Sequence, residues 1–178
     1  MSRRLFAALT PSEPAREHLI TALRPIRERD CNQLRFTEPD NWHITCAFYG
    51  ETAEDPEWLL GHLAAASTGP LELCLSGAGS FSSRTLWIGV GGMRDRLRTL
   101  MSGCVLDPEE AARQRAHLTV ARAHPRLSDP WLLGDITHAL SVYRGPSWQA
   151  TTIGLYESFL GQGRSGQPRY ELLGTTEL

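Results

Sequence analysis

Two segments of this 178-residue chain place a threonine two positions after a histidine inside an apolar run: His43-Ile44-Thr45-Cys46 and His117-Leu118-Thr119-Val120. In an extended strand residues i and i+2 share a face, so each run sets an imidazole beside a hydroxyl. Neutral imidazole takes a proton and imidazolium gives one, and both forms exist near neutral pH. A cleft holding two of them suits in-line displacement at phosphorus. One histidine would deprotonate the attacking oxygen and the other would protonate the departing one, while the threonine hydroxyls donate to the non-bridging oxygens where charge accumulates. No metal, cofactor or covalent enzyme intermediate is required.

The flanks carry more weight than the tripeptides. His43 through Gly50 and His117 through Arg122 are short runs rich in β-branched or aromatic residues, and both read as strands. Other chemistries are absent from the sequence. It has no Gly-x-Ser-x-Gly elbow, Gly-x-x-x-x-Gly-Lys loop or His-Glu-x-x-His helix. All 18 basic residues are Arg, so a lysine nucleophile, and with it adenylate-forming ligation, is ruled out. A metal held by His43 and His117 stays open as an alternative, but neither motif has an acidic residue at its in-strand positions.

The elements that must position these residues follow from periodicity and turn signals. Leu5 to Leu9 reads as a buried strand; Thr10-Pro11-Ser12-Glu13 gives a cap, and a helix with Ala15, Leu19, Leu23 and Ile26 inward follows, kinked or shortened by Pro25. Leu34 to Phe36 reads as a short strand, Glu38 to Asn41 as a polar turn, and Trp42 to Tyr49 as the first motif strand. Of Phe48 and Tyr49, one should face the core. Pro56 opens a helix to about Ser67, Leu71–Leu75 and Leu86–Val90 are strands separated by the small, polar Ser76–Arg84 stretch, and Met93 to about Val105 is helical. The arginines at 94, 96 and 98 read as a solvated face. After the second motif strand, Pro130 opens a helix from Trp131 to about Tyr143, then strands Trp148–Tyr156 and Arg169–Leu173 flank a glycine-rich loop over 161–166.

Helix, His-x-Thr strand, helix, strand, strand thus occurs around 11–90 and again around 93–175. This order predicts a degenerate duplication whose pseudo-twofold brings both histidines, 74 positions apart, into one cleft. The length suits one domain of two lobes spanning residues 1–178. Cys31, Cys46, Cys74 and Cys104 form no Cys-x-x-Cys pair and read as reduced, buried thiols. The formal charge of −2 argues against a broad basic surface, so a nucleic-acid partner would be held at an end. With no membrane span or signal segment evident, a cytoplasmic protein is expected.

The quoted runs resemble the paired His-x-Thr-x motifs of the two-histidine (2H) phosphoesterases, in particular the RNA 2′,3′-cyclic phosphodiesterases, also called 2′-5′ RNA ligases. The resemblance extends to Arg4-Leu-Phe-Ala-Ala-Leu, to Phe36 through Trp42, to Ala78 through Val90 with Phe81, and to Leu155-Tyr-Glu-Ser158. It departs at Ala116, where the family usually has proline. The family implies an α+β fold of two pseudo-symmetric lobes, with antiparallel sheets facing a central groove and helices outside. It also implies metal-free hydrolysis of a terminal 2′,3′-cyclic phosphate to a 2′-phosphomonoester, with possible reverse 2′-5′ ligation. Carried over, His43 is the proton donor, His117 the proton acceptor, and Thr45, Thr119 and Arg122 the phosphate-binding residues. RNA 3′ ends or small cyclic phosphates are the implied partners, with no cofactor, no protein partner and a monomer expected. Action on another cyclic phosphate metabolite, or RNA-end binding without catalysis, are the competing readings.

Overall fold

The computed structural model describes residues 2–125, 129 and 131–178. Among the described residues nine strands, every pairing antiparallel, form one curled sheet with five α-helices. The strands are β1 (Arg3–Leu9), β2 (Leu34–Phe36), β3 (Ile44–Thr52), β4 (Leu71–Phe81), β5 (Thr85–Gly92), β6 (His117–Ala123), β7 (Trp148–Ala150), β8 (Thr152–Phe159) and β9 (Arg169–Glu177). They run in the order β7-β4-β5-β6-β3-β1-β8-β9, with β2 paired to β6. The two motif strands meet at the centre through a single ladder pair, Ile44 opposite Leu118. Strands β7, β4, β5 and β6, with β2 alongside, make one half and β3, β1, β8 and β9 the other, and this is the two-lobed α+β architecture the resemblance implies.

The expected element order is present, but the lobes are not the two halves of the sequence. The β4–β5 hairpin, which follows the first motif, pairs with β6 of the second motif, and the β8–β9 hairpin of the second half pairs with β1 beside β3. Each motif strand therefore lies in a half-sheet completed by the other half's hairpin. The chain crosses between the half-sheets at Thr151. There the single strand expected over 148–156 divides into β7, on β4, and β8, on β1.

Helix α1 (Glu13–Asp30) begins later than expected: Ser12, rather than Thr10, caps it, its Oγ accepting from the Ala15 N–H at 3.3 Å. It also runs through Pro25 to Asp30, because Ala15, Leu19, Leu23 and Ile26 anchor one buried stripe on both sides of the proline. Helix α2 (Pro56–Ala65) is capped by Asp55, whose Oδ1 accepts from Glu57 N–H at 3.1 Å, and buries Leu59 and Leu63. Helix α3 (Arg94–Cys104) buries Leu97, Leu100 and Met101 as its spacing requires. The four-residue α4 (Pro108–Ala111) lies between α3 and β6, and α5 (Leu132–Ala139) is shorter than the expected helix. Pro130, its expected opening residue, lies outside the described residues.

One stretch expected to be irregular is strand. Ser76–Phe81 continues β4 past a register shift after Leu75, so the turn before β5 is confined to Ser82–Arg84, with Ser82 and Ser83 both at φ 49°. Tyr49 packs against the core and donates its hydroxyl to the Cys104 carbonyl at 3.0 Å, whereas Phe48 faces outward under the Arg4 guanidinium. Cys46, Cys74 and Cys104 are buried and unpaired, and Cys31 is exposed. Among the described residues no helix is long and apolar enough to cross a membrane.

Candidate active site

The antiparallel pair Ile44–Leu118 sets the geometry of the site. One step along the ladder in each direction, His43 falls opposite Thr119 and Thr45 opposite His117. With Ile44 and Leu118 fully buried behind the sheet, the period of two turns all four neighbours to the concave face. The result is a crossed quartet of two imidazoles and two hydroxyls about a pseudo-twofold axis. All four line one cleft of about 280 Å³.

Both imidazoles are oriented by the same device. His43 Nδ1 lies 2.7 Å from the carbonyl oxygen of Asn41 and His117 Nδ1 lies 2.7 Å from that of Arg115, in each case two residues back. A carbonyl can only accept, so Nδ1 carries the proton in both rings and Nε2 is left for chemistry. Aromatic rings support each imidazole from the flanking strands. Phe6 and Tyr170 lie 4.9 and 5.3 Å from His43, and Phe81 and Trp87 lie 4.9 and 6.2 Å from His117, centroid to centroid. Burial among these rings lowers the His43 pKa below its ordinary value. The Asn41 carbonyl opposes that shift and the His117 charge adds to it. Burial also raises the Tyr170 phenol, against the pull of Arg122 and Arg4, so it stays a neutral hydroxyl.

Arg122 reaches the cleft because of a bulge. Along β6 Thr119 pairs with Trp87 and Ala121 with Leu86, so Val120 is an extra residue and the alternation reverses beyond it. Without that reversal, Arg122 would point behind the sheet. Directly across the β2–β6 ladder lies Arg35, and both guanidiniums line the cleft. Like charges facing each other across strands are unfavourable unless an anion sits between or beside them. No carboxylate lines the cleft, and among the described residues no group of three or more His, Cys, Asp or Glu is gathered to hold a metal ion. In a chain of net charge −2, this is a local anion site.

All five residues expected at the site are thus brought together. Arg126, a further basic residue noted near the second motif, lies outside the described residues. Sequence reasoning missed Arg35, Thr37, Asn41, Gln167 and Tyr170. The loop between β8 and β9 closes one end of the cleft by bonding to the segment between β2 and β3. Gln167 donates Nε2 to the Phe36 carbonyl at 2.9 Å and accepts from Glu38 N–H at 3.4 Å, Asn41 Nδ2 donates to the Pro168 carbonyl at 3.1 Å, and Arg35 donates to the Ser165 carbonyl. Asn41 therefore holds both the loop and the His43 ring. The central arginine of Leu34-Arg35-Phe36, exposed between buried neighbours, was the one readable signal; Gln167 carried none.

The chain is similar to known proteins in sequence and fold. A family described as LigT-like phosphoesterase matches residues 9–91. The RNA 2′,3′-cyclic phosphodiesterase of Escherichia coli (strain K12) is 32% identical over 131 residues, 71% of either chain. The chain belongs to the LigT-like phosphoesterase family. The RNA 2′,3′-cyclic phosphodiesterase of Aeropyrum pernix is 28% identical over 152 residues, 78% of this chain and 85% of that one. Among solved structures, E. coli LigT complexed with phosphate superposes with TM-score 0.69 at 27% identity, covering 99% of this LigT-like chain and 98% of the other. E. coli LigT complexed with 3′-AMP gives 0.70 at 26%, covering 100% and 99%.

Proposed function

We propose that this LigT-like phosphoesterase hydrolyses RNA terminal 2′,3′-cyclic phosphates to 2′-phosphomonoesters without a metal ion, acting as a single two-lobed domain on RNA ends in the cytoplasm. The observation that carries the reading is the crossed quartet, with both Nδ1 atoms bonded to main-chain carbonyls and both Nε2 atoms left to transfer protons. Thr45, Thr119 and Arg122, with Arg35, hold the non-bridging oxygens. His117 Nε2 takes a proton from water as its oxygen attacks phosphorus opposite O3′. The P–O3′ bond breaks, His43 Nε2–H gives its proton to O3′, and the phosphate stays on O2′. Exchange with solvent then resets both rings.

The lowered pKa of His43 suits the donor, because an imidazolium that holds its proton less tightly is the stronger acid. The anionic substrate supplies the charge that keeps it protonated in the complex. A 5′-hydroxyl in place of the attacking water would give 2′-5′ ligation by the same groups. Product regiochemistry tests the assignment. Hydrolysis of a 2′,3′-cyclic mononucleotide should yield only the 2′-phosphate, read by phosphorus NMR, and a 3′-phosphate product would refute the order of roles.

A further inference from the structure

A second groove, of about 390 Å³, opens on the far side of His117 from the cleft and shares that residue with it. Its floor is the concave face of β5. Trp87, Gly89 and Gly91 alternate along that face, and Gly89 pairs with His117 itself. The glycines let Ser76 of β4 press close against β5 and line the groove with them, since a Cβ at Gly89 would lie 2.6 Å from the Ser76 carbonyl oxygen and one at Gly91 2.8 Å from Ser76 Oγ. On the opposite half-sheet Phe6 packs its ring 5.3 Å from Tyr156 and 5.0 Å from Tyr170, centroid to centroid, where β5 carries glycines. The pseudo-symmetry of the site is broken here.

Helix α3 forms the outer wall. Arg94, Leu97, Arg98 and Met101, at helical spacing, all line the groove, and Arg115 closes it next to His117. Of the three arginines expected to be a solvated face, two therefore rim a concavity, and only Arg96 turns away, donating to the Thr68 carbonyl. Arg98 pairs with Asp95 at 3.1 Å, but both side chains are largely exposed and the contact is weak. No acidic residue lines the groove. Arginine-rimmed concavities with an aromatic wall hold phosphodiesters and stacked bases.

We propose that this groove is the subsite for a second RNA strand, whose phosphodiester is held by Arg94, Arg98 and Arg115 and whose first base packs against Trp87. The inference rests on the assignment of His117 as the proton acceptor. With the leaving O3′ and its ribose on the His43 side, the attacking oxygen approaches from the His117 side. A strand bound in the groove presents its 5′-hydroxyl at that position in place of water. His117 Nε2 takes the hydroxyl proton, the new bond forms from O5′ to phosphorus, and O3′ leaves with the proton from His43.

Arg94→Glu/Arg98→Glu tests the proposal; Arg115 is left intact because its carbonyl orients His117. Binding is followed by fluorescence anisotropy of a trinucleotide with a free 5′-hydroxyl and a 3′ fluorophore, and catalysis by hydrolysis of a 2′,3′-cyclic mononucleotide, which does not reach the groove. The native protein should bind the trinucleotide and, at saturation, join it to the cyclic mononucleotide through a 2′-5′ bond. The double variant should bind at least about tenfold more weakly and lose the joined product, with mononucleotide hydrolysis within about twofold of native. Equal binding by both proteins, or a parallel loss of mononucleotide hydrolysis in a variant of unchanged melting temperature, would overturn the groove assignment. Should the native protein fail to hydrolyse the mononucleotide, the proposed activity falls, while the anisotropy comparison still decides the groove.

Discussion

Arg122→Met should weaken catalysis while leaving the fold as stable as before, or more so. The substitution keeps an apolar stem of similar reach and removes one of two guanidiniums that face each other across β2 and β6. At about 6 Å two such charges repel by about 0.7 kcal/mol in bulk water and by about 3 kcal/mol at an effective dielectric of about 20. Both residues are exposed, so the lower figure governs and folding in phosphate-free buffer should gain up to about 1 kcal/mol. A charge-assisted hydrogen bond to phosphate contributes about 1.5–3 kcal/mol. Its loss should lower kcat/KM by about 10- to 150-fold on a 2′,3′-cyclic nucleotide. Denaturant unfolding with and without inorganic phosphate gives an independent reading. Phosphate should raise the native stability more than the variant's, since only the native site has both arginines. A variant less stable in phosphate-free buffer, with kcat/KM within about threefold of native, would refute the view that the pair is held together for an anion.

The roles of the two histidines separate with a substrate whose 3′ bridging oxygen is replaced by sulfur, because a thiolate leaves without a proton. His43→Ala should lose activity on the oxygen substrate by at least about 100-fold and recover most of it on the sulfur one, whereas His117→Ala should stay inactive on both; rescue of His117→Ala instead would reverse the assignment. Tyr170→Ala should let water reach His43 and raise its pKa toward the ordinary value, followed by the imidazole proton shifts in NMR, and an unchanged or lower value would refute burial as the cause. Since the folded-state pKa of His43 lies below its unfolded value, this residue's contribution to stability is complete above the unfolded pKa. It is lost as pH falls from there toward the folded value, and Tyr170→Ala should reduce that acid sensitivity. Gln167→Ala unties the β8–β9 loop from Phe36 and Glu38 and should raise KM more than it lowers kcat, a split that steady-state kinetics would contradict if kcat alone fell.

The motif strands were legible because each carries its own signal, a histidine and threonine at strand spacing between apolar residues that the sheet buries. The pseudo-twofold was legible in the element order for the same reason. Pairing was not. Nothing local in β4–β5 or β8–β9 says which motif strand each hairpin will join, and the structure exchanges them. Thr151 divides a run that reads as one strand, because the two pieces belong to opposite half-sheets. Arg122 was expected at the phosphate from family resemblance alone, and the bulge at Val120 that turns it inward leaves no mark in composition. Arg35 lies outside both His-x-Thr runs, eight residues before His43, and meets Arg122 only through tertiary pairing. Pro25 misled in the other direction, since the four buried anchors of α1 outweigh one missing hydrogen bond.

The most direct test of the account is hydrolysis of an RNA oligonucleotide ending in a 2′,3′-cyclic phosphate, with excess chelator, by the native protein, His43→Ala and His117→Ala. Two imidazoles acting without a metal predict chelator-resistant conversion to the 2′-phosphate that either substitution abolishes. Turnover that survives both substitutions, or that disappears with chelator alone, would contradict it.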